Sequence, residues 1–88
     1  FDGPFASMLD LFVKQKQALG YEYVGGYNAL HVFDTFSKKY EVKNYELTQN
    51  IVLDWAQKRP NENEATRSAR IMYLQHFAVF LNSQGYCG

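Results

Sequence analysis

Apolar positions in the last third of the chain recur at helical spacing through the run Glu64 to Gly85, which contains no internal glycine or proline. Ile71, Leu74, Ala78 and Leu81 form one row, Met72 and Val79 a second, Phe77 and Phe80 a third. Only a narrow strip through Ser68, Gln75 and Asn82 reads as fully polar. A helix that is apolar around most of its circumference is normally wrapped by other helices. The pattern therefore predicts the central helix of a small all-α domain. Glu64 or Thr66 is the expected cap at its start, and Gly85 the expected stop.

Three shorter helices are predicted upstream. Met8, Leu9, Phe12, Val13 and Leu19 mark an amphipathic helix over 5–19, with Lys14, Gln15, Lys16 and Gln17 on its polar face. Ser7 is a possible cap for it and Gly20 suits the position just past its end. A connector rich in rings and glycine, 21–26, leads to a second helix over 27–40. Its Leu30, Phe33 and Phe36 face inward, and Lys38 and Lys39 sit in its last turn, where cations suit the helix dipole. Thr48 reads as the N-cap of a third helix carrying Ile51, Val52, Trp55 and Ala56. Pro60 ends that helix near Arg59, because the residue before a proline is driven out of the α region. Trp55 is the expected core anchor. Four helices with short links, the last one central, is the predicted architecture.

Composition narrows the class. A chain of 88 residues is one domain, and a hydrophobic fraction of 47% with 17% aromatics belongs to a folded globule with a ring-built core. Nine basic residues balance nine acidic ones, so indiscriminate nucleic-acid binding through a large basic excess is not expected, although a local basic patch is compatible. The lone cysteine, Cys87, cannot form an intrachain disulfide, and with only His31 and His76 beside it no zinc site is expected. The composition suits a reducing, cytoplasmic setting. No apolar run approaches the roughly 18 residues of a membrane span, so no membrane role is expected. The chain begins with Phe1 rather than Met and is expected to be a piece of a longer protein.

Catalytic signatures are lacking. Gly25-Gly26 is not followed by the Lys and Ser/Thr of a phosphate loop, and no His pairs with Cys or Ser at a recognisable catalytic spacing. Glu62 and Glu64 stand beside Asn61 and Asn63 in what reads as a solvated loop, without the burial that would shift a carboxylate toward acid–base work. No catalytic residue, cofactor or metal site is assigned. What remains is the opening of the fourth helix. Thr66, Arg67 and Arg70 fall on adjacent turns beside free backbone N–H groups and the positive end of the helix dipole, and Tyr73 continues the row. That arrangement could hold a phosphate or reach a guanine edge. On the plainer reading it is a capped helix start with solvated arginines.

These residues resemble a known family. ATRSARIMYLQHFAVFLNSQGY, with Thr66, Arg70, Leu74, Phe77 and Phe80-Leu81, is similar to the last helix of the SAM-like core-binding domain of tyrosine recombinases, the phage-integrase and Xer class. FVKQKQALGYEY resembles that family's first helix, ALHVFDTFSKKY its second through Leu30, Phe33 and Phe36, and LTQNIVLDWAQKRP its third. The resemblance implies a compact four-helix SAM-like orthogonal bundle that forms half of a clamp around double-stranded DNA, with its second and fourth helices toward the major groove. Thr66, Arg67, Arg70 and Tyr73 are then implied DNA contacts, joined by Asn28 and His31 from the second helix. Gly25 and Gly26 depart from the polar residues that many relatives carry ahead of that helix. The implied partners are DNA, other recombinase protomers, and a catalytic domain of the same chain; the catalytic arginines, His-x-x-Arg element and nucleophilic tyrosine of that domain are missing from this sequence. The fragment is not expected to cleave DNA. The alternative is a helical protein–protein interaction module. Lys14, Lys16, Arg67 and Arg70 gathered on one face would favour DNA, whereas an exposed Tyr21, Tyr23 and Tyr27 patch would favour protein.

Overall fold

The computed structural model describes residues 1–57 and 59–86, which form four helices: α1 Ala6–Ala18, α2 Val24–Ser37, α3 Gln49–Ala56 and α4 Glu64–Ser83. No strand occurs among the described residues. The chain is an all-α bundle, and α4 packs against each of the other three helices, as its apolar circumference predicts. Leu74, Phe77, Phe80 and Leu81 are its buried apolar residues. The polar face is wider than the sequence suggested, because Met72 is exposed and Val79 is 69% exposed.

Rings fill the centre. Phe33 meets Trp55 edge-on at 5.2 Å, Phe5 meets Phe77 at 6.0 Å, and Phe12 lies 5.2 Å from Phe80. Offset and edge-on ring pairs of this kind add to area burial, which is itself worth about 2–3 kcal/mol for each fully buried large side chain. Trp55 is the core anchor expected of it, with 1% of its surface exposed.

The helix ends follow local chemistry. Gly20 and Gly85 have φ of 99° and 90°, and each follows a C-cap with the paired backbone bonds of a Schellman turn: Gly20 N–H to Gln17 and Tyr21 N–H to Lys16, then Gly85 N–H to Asn82 and Tyr86 N–H to Leu81. Thr48 caps α3 through Oγ1, which accepts from the Ile51 N–H at 3.4 Å. At α4 the cap is Asn63 rather than Glu64 or Thr66; its side-chain oxygen accepts from the Thr66 N–H at 2.8 Å. Ser7 lies inside α1, whose N-cap is Phe5 with no side-chain bond.

The second helix is displaced from its expected bounds, starting at Val24 and ending at Ser37. Its first turn therefore contains Gly25 and Gly26. Tyr23 precedes them in the left-handed region, φ 60°, and folds its ring back onto the helix. A Cβ on Gly26 would lie 2.4 Å from that ring, so this glycine serves close packing rather than a loop. At the other end the Ser37 hydroxyl donates to the Asp34 carbonyl at 2.9 Å. The buried Asp34 carboxylate accepts the Asp2 and Gly3 N–H groups at 3.1 and 2.9 Å, tying the N-terminal segment onto α2. Lys38 pairs with Asp2 at 2.6 Å, so it has a partner beyond the helix dipole. No helix among the described residues is long and apolar enough to cross a membrane.

Candidate functional site

The first turns of α4 run past the C-terminal end of α3, and this juxtaposition decides the fate of the two arginines. The third helix stops at Ala56, short of Arg59, when Gln57 turns to an extended conformation with ψ 135°. Its last carbonyls would otherwise lack donors. Arg67 Nε donates to the Ala56 carbonyl at 2.8 Å. The Arg70 guanidinium donates to the Trp55 carbonyl through Nη1 and to the Gln57 carbonyl through Nη2 at 3.0 Å. Two cations thus cap the negative end of α3.

Arg70 is further committed. It forms a two-pronged ion pair with Glu62, Nε to Oε2 at 2.9 Å and Nη2 to Oε1 at 2.8 Å, with side-chain exposures of 6% and 7%. The hydrogen bonds from Arg70, helped by the Arg59 backbone N–H and both positive charges, outweigh burial and pull the Glu62 carboxyl from 4.5 down to about 2. Two expectations are corrected. Arg70 is not an exposed guanidinium offered to DNA, because all three of its nitrogens are bonded within the fold. Glu62 is not a solvated loop carboxylate, because it is the buried counter-charge of Arg70. Arg67 is partly committed: besides Ala56 it lies 3.6 Å from Glu64, and its side chain keeps 34% of its surface exposed.

The remaining expected contacts converge elsewhere. Asn28 from α2 and Thr66 and Tyr73 from α4 line one open cleft of about 560 Å³, whose walls include Val32, Ala65, Ala69 and the exposed Arg59. Gly25 keeps its rim low: a Cβ there would approach the Tyr73 hydroxyl to 3.1 Å. Three charged residues line the cleft, Arg59, Arg70 and Glu62. The last two neutralise each other, so its net charge is that of Arg59. Nothing here assembles an acid, base and nucleophile. An amide, two hydroxyls, a cation and small apolar walls form a surface for binding.

His31 sits mid-helix in α2 and lines a neighbouring hollow of about 540 Å³ together with Val32, Thr35, Phe36 and Arg59. Its ring is stacked 4.5 Å from Phe1, and its Nε2 is 3.0 Å from the Tyr27 hydroxyl. One face of His31 is therefore already occupied.

The four cations whose gathering on one face would favour DNA do not gather. Lys14 pairs with Asp10 at 3.0 Å, Lys16 rests 5.6 Å over the rings of Phe12 and Tyr21, and Arg67 and Arg70 serve α3. The tyrosine cluster does not form either, because Tyr23 is drawn against Phe12 and Tyr73. Arg59 is the residue that sequence reasoning passed over, naming it only as the place where the third helix ends. It lies beyond the end of α3, with its guanidinium 5.0 Å over the Trp55 ring. Its place four residues after a tryptophan is the only sequence signal for that stacking.

No group of three or more His, Cys, Asp or Glu among the described residues could hold a metal ion. Comparison of the chain with protein-family models, curated proteins and solved structures returned no match. Fold and site together define an all-α four-helix module with an open, mildly cationic cleft between α2 and α4.

Proposed function

We propose that this chain is a DNA-binding module, the core-binding domain of a site-specific tyrosine recombinase or integrase, which holds duplex DNA on the face shared by α2 and the start of α4. The observation that carries this reading is the convergence of Asn28, Thr66 and Tyr73 on one cleft with Arg59. Those three side chains come from the two helices that the family resemblance turns toward DNA. In this reading Arg59 and the exposed part of Arg67 attract the phosphate backbone, while Asn28 and Thr66 offer hydrogen-bonding groups to base edges.

The formal net charge is zero, so binding by the isolated chain is weak and falls steeply with salt. In the parent recombinase, acting in the cytoplasm, a catalytic domain on the far side of the duplex and neighbouring protomers on the same DNA make each contact partly intramolecular. Catalysis belongs to that second domain, and this fragment supplies grip and placement.

Fluorescence anisotropy on labelled duplexes tests the reading. Binding at low salt is expected, with Asn28→Ala costing about 1–3 kcal/mol on the preferred sequence. Absence of binding to any duplex, or equal affinities for wild type, Asn28→Ala and Thr66→Ala, would contradict it.

A further inference from the structure

We infer that the hollow on the outer side of α2, lined by Arg59 and by Phe36, over which Lys39 rests, is a phosphodiester-binding site that continues the α2–α4 face along one DNA strand; this rests on the DNA-binding reading. Arg59 separates the two concavities and lines both. It is exposed, yet its guanidinium has a fixed seat over the Trp55 ring at 5.0 Å, and Trp55 is itself pinned by its Nε1–H to the Arg70 carbonyl at 3.1 Å. A guanidinium resting over an aromatic ring loses less freedom when it meets an anion than a fully solvated one, and its fork suits phosphate oxygens.

The Lys39 ammonium stands 4.5 Å over the ring of Phe36, which lines the hollow, and 5.5 Å over Tyr40. No carboxylate lies within 4 Å of either cation among the described residues, in contrast to Lys14, Lys38, Arg67 and Arg70. No acidic residue lines the hollow, and Thr35 and His31 give it polar walls. The acid nearest to Arg59 is Glu62, and both of its oxygens already accept from Arg70. Two cations without carboxylate partners, seated on rings beside a concavity free of acid, suit a passing phosphate backbone. They carry no base-reading geometry, so their contribution is independent of sequence.

The test is the salt dependence of duplex binding for the wild type, Arg59→Gln, Lys39→Gln, Arg59→Lys and Asn28→Ala, with melting temperatures as a control for folding. Each glutamine variant is expected to lower the slope of log affinity against log salt by about 0.9 and to weaken binding by a similar factor on unrelated duplexes. Arg59→Lys should restore the slope, and Asn28→Ala should leave it unchanged. Lys39→Gln does not touch Trp55, so it remains informative if Arg59→Gln lowers the melting temperature. Wild-type slopes in both glutamine variants, with the wild type binding DNA, would overturn this inference and leave the DNA-binding reading standing. A wild type that binds no duplex at low salt would overturn both.

Discussion

Trp55 and Arg70 are bonded to each other in both directions: the indole Nε1–H donates to the Arg70 carbonyl at 3.1 Å, and the Arg70 guanidinium donates to the Trp55 carbonyl. The Arg70 guanidinium carbon also lies 5.0 Å from the centre of the Trp55 ring. With 8 residues, α3 is too short to be stable alone. Its end is held by this exchange, by Arg67 on the Ala56 carbonyl, and by the Glu62 carboxylate that lets a guanidinium be buried at all.

Replacing Arg70 therefore acts on stability rather than on ligand affinity. Arg70→Ala leaves the Trp55 and Gln57 carbonyls and the Glu62 carboxylate without their donor and should lower the free energy of unfolding by roughly 1–3 kcal/mol. Urea denaturation followed by tryptophan fluorescence reports it directly, since Trp55 is the only tryptophan. An Arg70→Ala protein of wild-type stability that has lost DNA affinity would return Arg70 to the contact surface.

Acid should weaken the fold through the same pair. The folded Glu62 carboxyl titrates at about 2 against an ordinary value of 4.5. A depressed folded value means that the unfolded chain binds the proton first, so stability is fully present above pH 4.5, declines as pH falls, and is lost at about 2. Melting temperatures measured across that window should fall for the wild type. They should fall less for Glu62→Gln, which starts from a lower stability at neutral pH. Parallel curves for the two proteins would mean that another carboxylate governs the acid limb.

Tyr23 carries a different cost. Its hydroxyl is buried with no hydrogen-bond partner among the described residues, and burial, with Tyr73 nearby, pushes its ionisation up to about 12. Tyr23→Phe keeps the ring against Phe12 and Tyr73 and removes only the unpaired group. Stability should rise by about 1 kcal/mol. A loss of stability in a thermal melt would reveal a bonded hydroxyl instead.

Much of the scaffold was legible because apolar periodicity and capping chemistry are local. The buried Leu74, Phe77, Phe80 and Leu81 of α4, Thr48 as a cap, Gly20 and Gly85 as stops and Trp55 as an anchor all follow from neighbours in sequence, whereas the expected row of Met72 and Val79 lies exposed. The start of α2 was not legible, because Gly25 and Gly26 read as a loop until Tyr23 is seen folded over them. The arginines were misread for a related reason. A helix start bearing two guanidinium groups looks like an anion site, and nothing in the local sequence says that the end of another helix will be waiting for them. Glu62 escaped in the same way: its asparagine-rich surroundings suggested water, while its partner lay eight residues away, on the next helix. The cleft itself joins Asn28 to Thr66 and Tyr73 only through tertiary packing.

The account rests on DNA meeting the α2–α4 face while Arg70 stays inside. The most direct measurement is a titration of the isotope-labelled chain with duplex DNA at low salt, followed by two-dimensional NMR. The expected result is progressive shift changes at Asn28, Val32, Arg59, Thr66, Tyr73 and their neighbours on the α2–α4 face, with the Arg70 Nε–H signal present and unmoved. Shifts clustered instead on the outer face of α1 around Leu11 and Lys14, or no shifts at any DNA concentration, would contradict it.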